Sequence, residues 1–538
     1  MLRAGGVALG AAALGGLGWG ADELLTATNS PRRAHRRRHH VASEVDTTHE
    51  ATLDSGVIVP SADWVVEENQ QPGTLDWVVS SRTRIYGYSD HVSAVHGDQV
   101  TLFVDAPQVP YRIELYRMGY YGGLGGRLVW SSASLPSTQH QPPFTLAPAT
   151  NMVECQWEAT ITVGIDPTWP PGTYLFKLTG SDNGLTAGYI PLCIRDDDST
   201  AAFAIMHGVT TWQAYNAYGG RSLYVGHSSA HAGESGARDR SRVVSFDRPY
   251  DQVGWGAPSF NGNEFPLIFL AERLGLDVTY ITDVDLHRDP ARLLRHRCLF
   301  SLGHDEYWST AMRDGASQAL GQGTNLAFLG ANAVYRHIRM EASPLGENRR
   351  QVCYKTDFAH EDPLWGHDPS EVTVNWPDPP VPRPEQALIG SQYVDVGANA
   401  DMVVADAGSW VFAGTGLADR QHLPHGVQGE YDRYQPSLGE PVDVTLLAHS
   451  PVINRGPGRY SDMTYYTVAN GGGVFATGSA AFVAMLSNAP GIYSNVIFPA
   501  IPGVTSVLWR MMQNVFSVFG AGPASATHPS VANWRPFY

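Results

Sequence analysis

Cys298-Leu299-Phe300-Ser301-Leu302-Gly303-His304-Asp305-Glu306-Tyr307-Trp308-Ser309 joins an uncharged, mostly apolar run to a dense polar cluster. The first five residues read as a strand buried on both faces. Glycine ends that run, and a histidine, two carboxylates and a tyrosine follow it. Thr310, Met312, Ala316 and Leu320 then recur at helical spacing. The pattern predicts a buried strand, a polar loop and a helix. Open parallel sheets bind ligands in the crevice beyond the carboxyl ends of their strands, which makes this loop a candidate site.

The flanking segments repeat the alternation. Residues 202–206 form a second apolar run. Leu267, Leu270 and Leu274 mark a helix over 266–274, which ends at Gly275. Residues 277–281 read as a strand, 289–295 as a helix and 325–329 as the next strand. This order predicts an α/β domain with a mostly parallel sheet and helices on both faces. Upstream, residues 99–104, 111–117 and 172–178 alternate in the manner of half-buried strands, with Gly, Pro and Asp turns between them. They predict an N-terminal Ig-like β-sandwich in which 100–104 and 111–117 are neighbours. The expected organisation is multidomain: a leader and linker over 1–66, the sandwich over 67–198 and the α/β domain over 199–538.

Bulk properties narrow the function. A chain of 538 residues is too long for one core. It is 43% hydrophobic and 16% charged, with 56 Gly and 36 Pro, a globular and turn-rich composition. The net charge of −16 argues against general nucleic-acid binding. Four cysteines are too few for a disulfide framework. Cys155 and Cys193 would be able to pair in an exported protein, whereas Cys298 and Cys353 read as core residues. The uncharged run from Gly5 to Ala21 matches a secretory h-region, and it is too short and glycine-rich for a stable membrane span. Arg32, Arg33, Arg36, Arg37 and Arg38 follow it, on the side that opposes simple export. A start that misses an upstream twin-arginine segment would reconcile the two. The expectation is an exported or secreted protein, and the alternative is a cytoplasmic one with a disordered Arg/His-rich leader.

Three clusters follow strands of the expected parallel sheet and should converge on one edge: residues 211–224, His304 with Glu306, and residues 330–335. In the third, strand, glycine and turn resemble a nucleophile elbow, with Asn332 where a Ser or Cys would stand. The chain contains no Gly-x-Ser-x-Gly, so a covalent triad lacks its nucleophile. Asn332 either donates to a developing oxyanion or caps a following helix. Glu306 reads as a metal ligand, a general base or a carboxylate at a helix N-terminus. His304 reads as a base, a group supporting a ligand, or a satisfied histidine. No His-x-Glu-x-x-His or paired Cys-x-x-Cys is present. Tyrosinate and carboxylate oxygens would suit a trivalent iron ion and leave no sequence signature. Asp247 beside Arg248 reads as an internal ion pair. Residues 283–289 read as a strand-to-helix loop with Asp289 as N-cap, not as a calcium loop. Gly429-Glu430-Tyr431-Asp432 is an acidic patch that chain order alone does not place.

Taken together, Trp-Gln-Ala-Tyr-Asn with Gly-Gly-Arg-Ser-Leu-Tyr, then Ser-Phe-Asp-Arg-Pro-Tyr, Thr-Asp-Val-Asp-Leu-His, Gly-His-Asp-Glu-Tyr-Trp-Ser and Gly-Ala-Asn-Ala-Val-Tyr-Arg run in order from Thr211 to Arg336. This series resembles the C-terminal domain of the large (β) subunit of N,N-dimethylformamidase. Residues 111–123 are similar to the Ig-like domain that often precedes it. The resemblance spans roughly residues 70–520. It implies an amide hydrolase on a class I glutamine-amidotransferase-like fold that lacks that family's cysteine. It also implies a mononuclear ferric iron held by two tyrosines and a glutamate. By that likeness Glu306 is the carboxylate ligand, Tyr215 the first tyrosine, His304 and Asn332 active-site residues, and Glu430 a later catalytic glutamate. The second tyrosine should fall near Asp239–Arg240, where this chain has none. Tyr224 is the expected replacement, with Tyr250 as the other candidate and an altered or metal-free site as the alternative. The implied substrate is a small-molecule amide, a homo-oligomer is allowed, and a small partner subunit accompanies the formamidase. The rival reading is a non-catalytic exported binding protein on a degenerate enzyme scaffold.

Overall fold

A computed structural model describes residues 57–79, 84–138, 140–226, 238–251, 256–257, 259–487 and 500–538. The signal-like run and the arginine-rich stretch lie outside the described residues. Among those residues, no helix is long and apolar enough to cross a membrane.

A seven-stranded sheet organises the site. Its spatial order is Val278–Thr282, Phe203–His207, Cys298–Gly303, Asn325–Gly330, Gly473–Ala476, Tyr460–Thr467 and Thr445–Pro451. The first five strands are parallel, and Tyr460–Thr467 runs antiparallel to both of its neighbours, Gly473–Ala476 and Thr445–Pro451. Phe203–His207, Cys298–Gly303 and Asn325–Gly330 are buried along their whole length. Alternate residues therefore serve opposite faces. Phe203, Ile205, Phe300 and Leu302 pack with Leu267 and Leu270 of the helix Phe265–Arg273 and with Met512 and Phe516 of the helix Pro502–Ala521. Ala204, Met206, Leu299 and Phe328 pack with Met312, Ala316 and Leu320 of the helix Thr310–Gly321. That helix starts where it does because the Ser309 hydroxyl accepts from the Met312 amide.

The central strands end in glycine for a steric reason. Gly303 and Gly330 face each other in register. A Cβ on Gly330 would strike the Gly303 carbonyl, and one on Gly303 would strike the Asn263 carbonyl. This close approach lets the loops after both strands meet.

The architecture corrects the expected one. The described residues are 33% strand and 24% helix, arranged in several mixed and antiparallel sheets. It is not an Ig-like sandwich followed by a mostly parallel α/β domain of glutamine-amidotransferase type. The strands Gln99–Asp105 and Tyr111–Met118 are not neighbours. The first belongs to a three-stranded sheet and the second to a five-stranded one, and Ser93–Ala94 joins the latter by a parallel pairing. The two sheets share a buried cluster around Val100, Leu102, Ile113, Leu115 and Phe176. Beyond Gly330 the alternation of strand and helix stops. Arg336–Ser343 and Gly346–Val352 pair antiparallel, and Gln392–Val403 and His422–Arg433 form a long two-stranded ribbon. The local period over 202–330 was a sound guide to that stretch alone.

Smaller expectations also change. Residues 283–288 are a helix with a capping box from Thr282, not a loop. Asp247 pairs with Arg349 at 2.8 Å, while Arg248 donates to the backbone carbonyls of Tyr218, Arg221 and Asn216. All four cysteines are buried free thiols, so Cys155 and Cys193 are not paired.

A buried ion pair ties the N-terminal strands to the sheet's helical layer. Arg117 grips Glu272 with both Nη atoms, at 2.9 and 2.7 Å, and neither side chain reaches solvent. Tyr280 and Asn69 also donate to that carboxylate. Glu272→Ala would leave a buried guanidinium unpaired and should cost about 3–5 kcal/mol. The check is urea unfolding. The midpoint should fall in the single variant and largely recover in Arg117→Met/Glu272→Met.

Candidate active site

The site forms where three sheet-end loops meet. The helix Val209–Tyr215 follows Phe203–His207 directly and carries Tyr215 on its last turn. Thr211 on this helix accepts a hydrogen bond from the Glu306 amide at 2.9 Å, which docks the helix against the loop after Cys298–Gly303. The turn after Asn325–Gly330 is held to the same loop by two backbone bonds. Val334 donates to the Asp305 carbonyl and Arg336 to the Glu306 carbonyl. No helix follows this turn. The chain enters the strand Arg336–Ser343, so Asn332 is neither an elbow residue of strand–turn–helix type nor a helix cap. The fourth wall comes from the ribbon strand His422–Arg433, which brings Glu430 and Asp432.

Glu306 is at the centre, and its side chain is fully buried. Tyr215 Oη donates to Glu306 Oε2 at 2.8 Å. Tyr224 Oη lies 2.8 Å from both Glu306 oxygens and 2.9 Å from Tyr215 Oη. The two phenol rings stack with centroids 4.3 Å apart. Tyr307 donates to Tyr224 Oη at 2.8 Å. Arg336 Nε donates to Glu306 Oε1 at 2.9 Å. His304 Nε2 stands 2.9 Å from Glu430 Oε2 and 3.7 Å from Glu306 Oε2, close in distance but off the hydrogen-bond direction. Asn332 Nδ2 donates to the other Glu430 oxygen at 3.2 Å, and the Asn332 amide donates to Asp432 at 2.8 Å. The His304 and Glu430 side chains keep 13% and 16% exposure, so the cluster opens to solvent on their side.

The charges are shaped by these neighbours. Burial works against the Glu306 anion, but Arg336, then His304 and Lys355, outweigh it and hold the carboxyl below its usual range. Burial also works against a charged His304. The Glu430 carboxylate, with help from Glu306 and Asp305, reverses that and lifts the imidazole to about 9. Burial first, and then the Glu306 charge, push the Tyr215 and Tyr224 hydroxyls well above their usual range. Lys355 places its ammonium 3.3 Å over the Tyr224 ring from a backbone with φ 58. Burial, then Arg336 and Arg240, push it well below its ordinary value.

The structure thus brings together Tyr215, Tyr224, Glu306, His304, Asn332 and Glu430. Tyr250 lies elsewhere and packs edge-on against Trp212. Sequence reading placed Tyr307 in the opening cluster without giving it a role, and missed Arg336 and Lys355. Arg336 flanks the cluster 330–335 that had been singled out, so its position was a usable signal. Lys355 had none, because it arrives from a distant segment. Among the described residues, no group of three or more His, Cys, Asp or Glu side chains is arranged to hold a metal. Tyr215 Oη, Tyr224 Oη and one Glu306 oxygen nevertheless form a compact triad of hard oxygen donors. That donor chemistry fits a trivalent cation such as ferric iron.

Among the described residues, the site gathers tyrosine, carboxylate, histidine and asparagine side chains at the carboxyl ends of the sheet strands, with the buried Cys353 thiol packed behind the tyrosines. Residues 112–494 match the family "N,N-dimethylformamidase beta subunit-like, C-terminal", and the chain belongs to it. It is 26% identical over 317 residues to the N,N-dimethylformamidase beta subunit of Paracoccus aminophilus, covering 50% of this chain and 40% of that one. It is 25% identical over 415 residues to the corresponding subunit of an Alcaligenes species, covering 62% and 52%. The chain spans about half the length of these curated relatives. Similarity to a solved cycloisomaltooligosaccharide glucanotransferase from Paenibacillus sp. covers 24% of this chain and 16% of that one. With 12% identity and a TM-score of 0.14, it is too slight to bear on the fold.

Asn332 has φ 58, in the left-handed region. Glycine accepts that backbone freely, whereas alanine pays about 1–2 kcal/mol. Asn332→Gly should therefore unfold at higher denaturant than Asn332→Ala. Both should lose whatever the Nδ2 donor contributes to turnover, and equal stability of the two would contradict the strain assignment.

Proposed function

We propose that this chain is a metal-dependent amidohydrolase that cleaves the C–N bond of a small amide. The observation that carries the reading is the packing of Tyr215 Oη, Tyr224 Oη and Glu306 Oε2 within 2.8–2.9 Å of one another, beside the His304–Glu430 pair. Family membership and the relatives' names support amide hydrolysis as the reaction class. Tyr215, Tyr224 and Glu306 would hold a ferric ion, which when bound would supply Lewis acidity toward the amide carbonyl.

The remaining work falls to the chain's own groups. Hydrolysis adds water across the amide: a C–O bond forms, the C–N bond breaks, and an amine and a carboxylic acid leave. Glu430, at the open side of the cluster, takes a proton from the attacking water. His304 is held protonated beside it and donates to the departing nitrogen. Asn332 Nδ2, already aimed at Glu430, has the donor needed for a developing oxyanion. The buried Glu306 serves binding rather than proton transfer, because Arg336 keeps it ionised.

Protein loaded with ferric iron should carry one iron per chain and show a visible tyrosinate-to-iron charge-transfer band. Tyr215→Phe and Glu306→Ala should each abolish the band. Colourless, iron-free protein with full amidase activity would sink the metal role. Glu430→Gln should lower kcat on N,N-dimethylformamide or another simple amide by roughly 10²–10⁴-fold, followed as amine release. Wild-type protein that releases no amine from any simple amide would contradict the reaction class.

A further inference from the structure

The turn after Asn325–Gly330 stores strain at Val334 as well as at Asn332. Val334 has φ 56, a left-handed backbone that a β-branched residue rarely adopts. Such outliers persist only when their surroundings fix them. Here the fixing bonds are Val334 N to the Asp305 carbonyl at 3.0 Å and Arg336 N to the Glu306 carbonyl at 2.8 Å. The strained turn therefore registers Arg336 against Glu306 through the main chain. The side chain then grips the same residue again, with Nε on Oε1 at 2.9 Å. The guanidinium has little freedom of its own. One Nη donates to Asn375 Oδ1, and the group lies over the Tyr335 ring, 4.7 Å from its centre.

We propose that Arg336 is a positioning residue that makes Glu306 a one-oxygen ligand. A free carboxylate can present one or both oxygens to a cation. With Arg336 on Oε1, Oε2 is the oxygen that both phenols reach, Tyr215 Oη and Tyr224 Oη each at 2.8 Å, whereas Oε1 is shared between Arg336 and Tyr224. So held, Glu306 would offer a bound cation one carboxylate oxygen rather than two. The inference rests on the metal-binding reading of the site, but it concerns a residue outside the proposed ligand set. Groups that orient a ligand typically matter by roughly 10–100-fold in metal affinity.

The test is titration of full-length apo-protein with ferric nitrilotriacetate, followed through the visible band and by competition for the metal. The proteins are wild type, Arg336→Gln, Arg336→Lys and Asn375→Ala, each checked for fold by circular dichroism. Both Arg336 variants should bind iron about 10–100-fold more weakly and shift the band, and Asn375→Ala should do so to a smaller degree. Lysine should not restore wild-type behaviour, because it lacks the planar fork that fixes Oε1. Arg336→Gln with wild-type affinity and an unchanged band overturns the inference and leaves the metal reading intact. If Arg336→Gln fails to fold, the same result in Arg336→Lys and Asn375→Ala overturns it. Wild-type protein that takes up no ferric iron overturns the metal reading, and this inference with it.

Discussion

A carboxylate with no access to water must have its charge met by the protein, and Glu306 is that carboxylate here. Its surroundings follow from that need. Two phenols and a guanidinium supply the hydrogen bonds. The Glu306 amide and carbonyl are engaged by Thr211 and Arg336, so the residue is held by main chain and side chain together. Two other sheet-end segments converge on its loop, and each contributes partners to this one residue. The Gly303–Gly330 contact is what allows them to come so close.

Two kinds of chemistry sit side by side in this arrangement. The buried side holds oxygen donors around an anion, suited to binding a hard cation. The solvent side holds a histidine and a glutamate in charge contact, suited to moving a proton. Asn332 ties its turn to the ribbon strand on the solvent side, with its backbone amide on Asp432 and its side chain on Glu430. A site divided this way needs no covalent nucleophile, which agrees with the missing Gly-x-Ser-x-Gly.

Much of the site was legible because its residues follow buried strands. Apolar runs ending in glycine at Gly303 and Gly330 located His304, Glu306 and Asn332 from pattern alone. The cluster 211–224 was legible in the same way, after 202–206, although Tyr215 was singled out within it only through family likeness. Glu430 was not. It reaches the site on a long antiparallel strand whose partner, Gln392–Val403, is irregular in register, and nothing local marks that pairing. Tyr224 was reached through family likeness and not through spacing, since phenol ligands leave no motif. The fold class was misread for a related reason. Strand–helix alternation over 202–330 is local information, whereas the turn to hairpins after Gly330 depends on contacts between distant segments. In the N-terminal region the strands were legible but their pairing was not, because alternation sets which face is buried and not which strand lies beside it.

The central claim is that Tyr215, Tyr224 and Glu306 form one cation site. Anomalous diffraction at the iron edge from crystals of ferric-loaded protein tests it most directly. The account predicts a single strong peak within bonding distance of Tyr215 Oη, Tyr224 Oη and Glu306 Oε2, with Arg336 still on Oε1. A peak elsewhere in the molecule, or none at this triad in iron-loaded crystals, would contradict it.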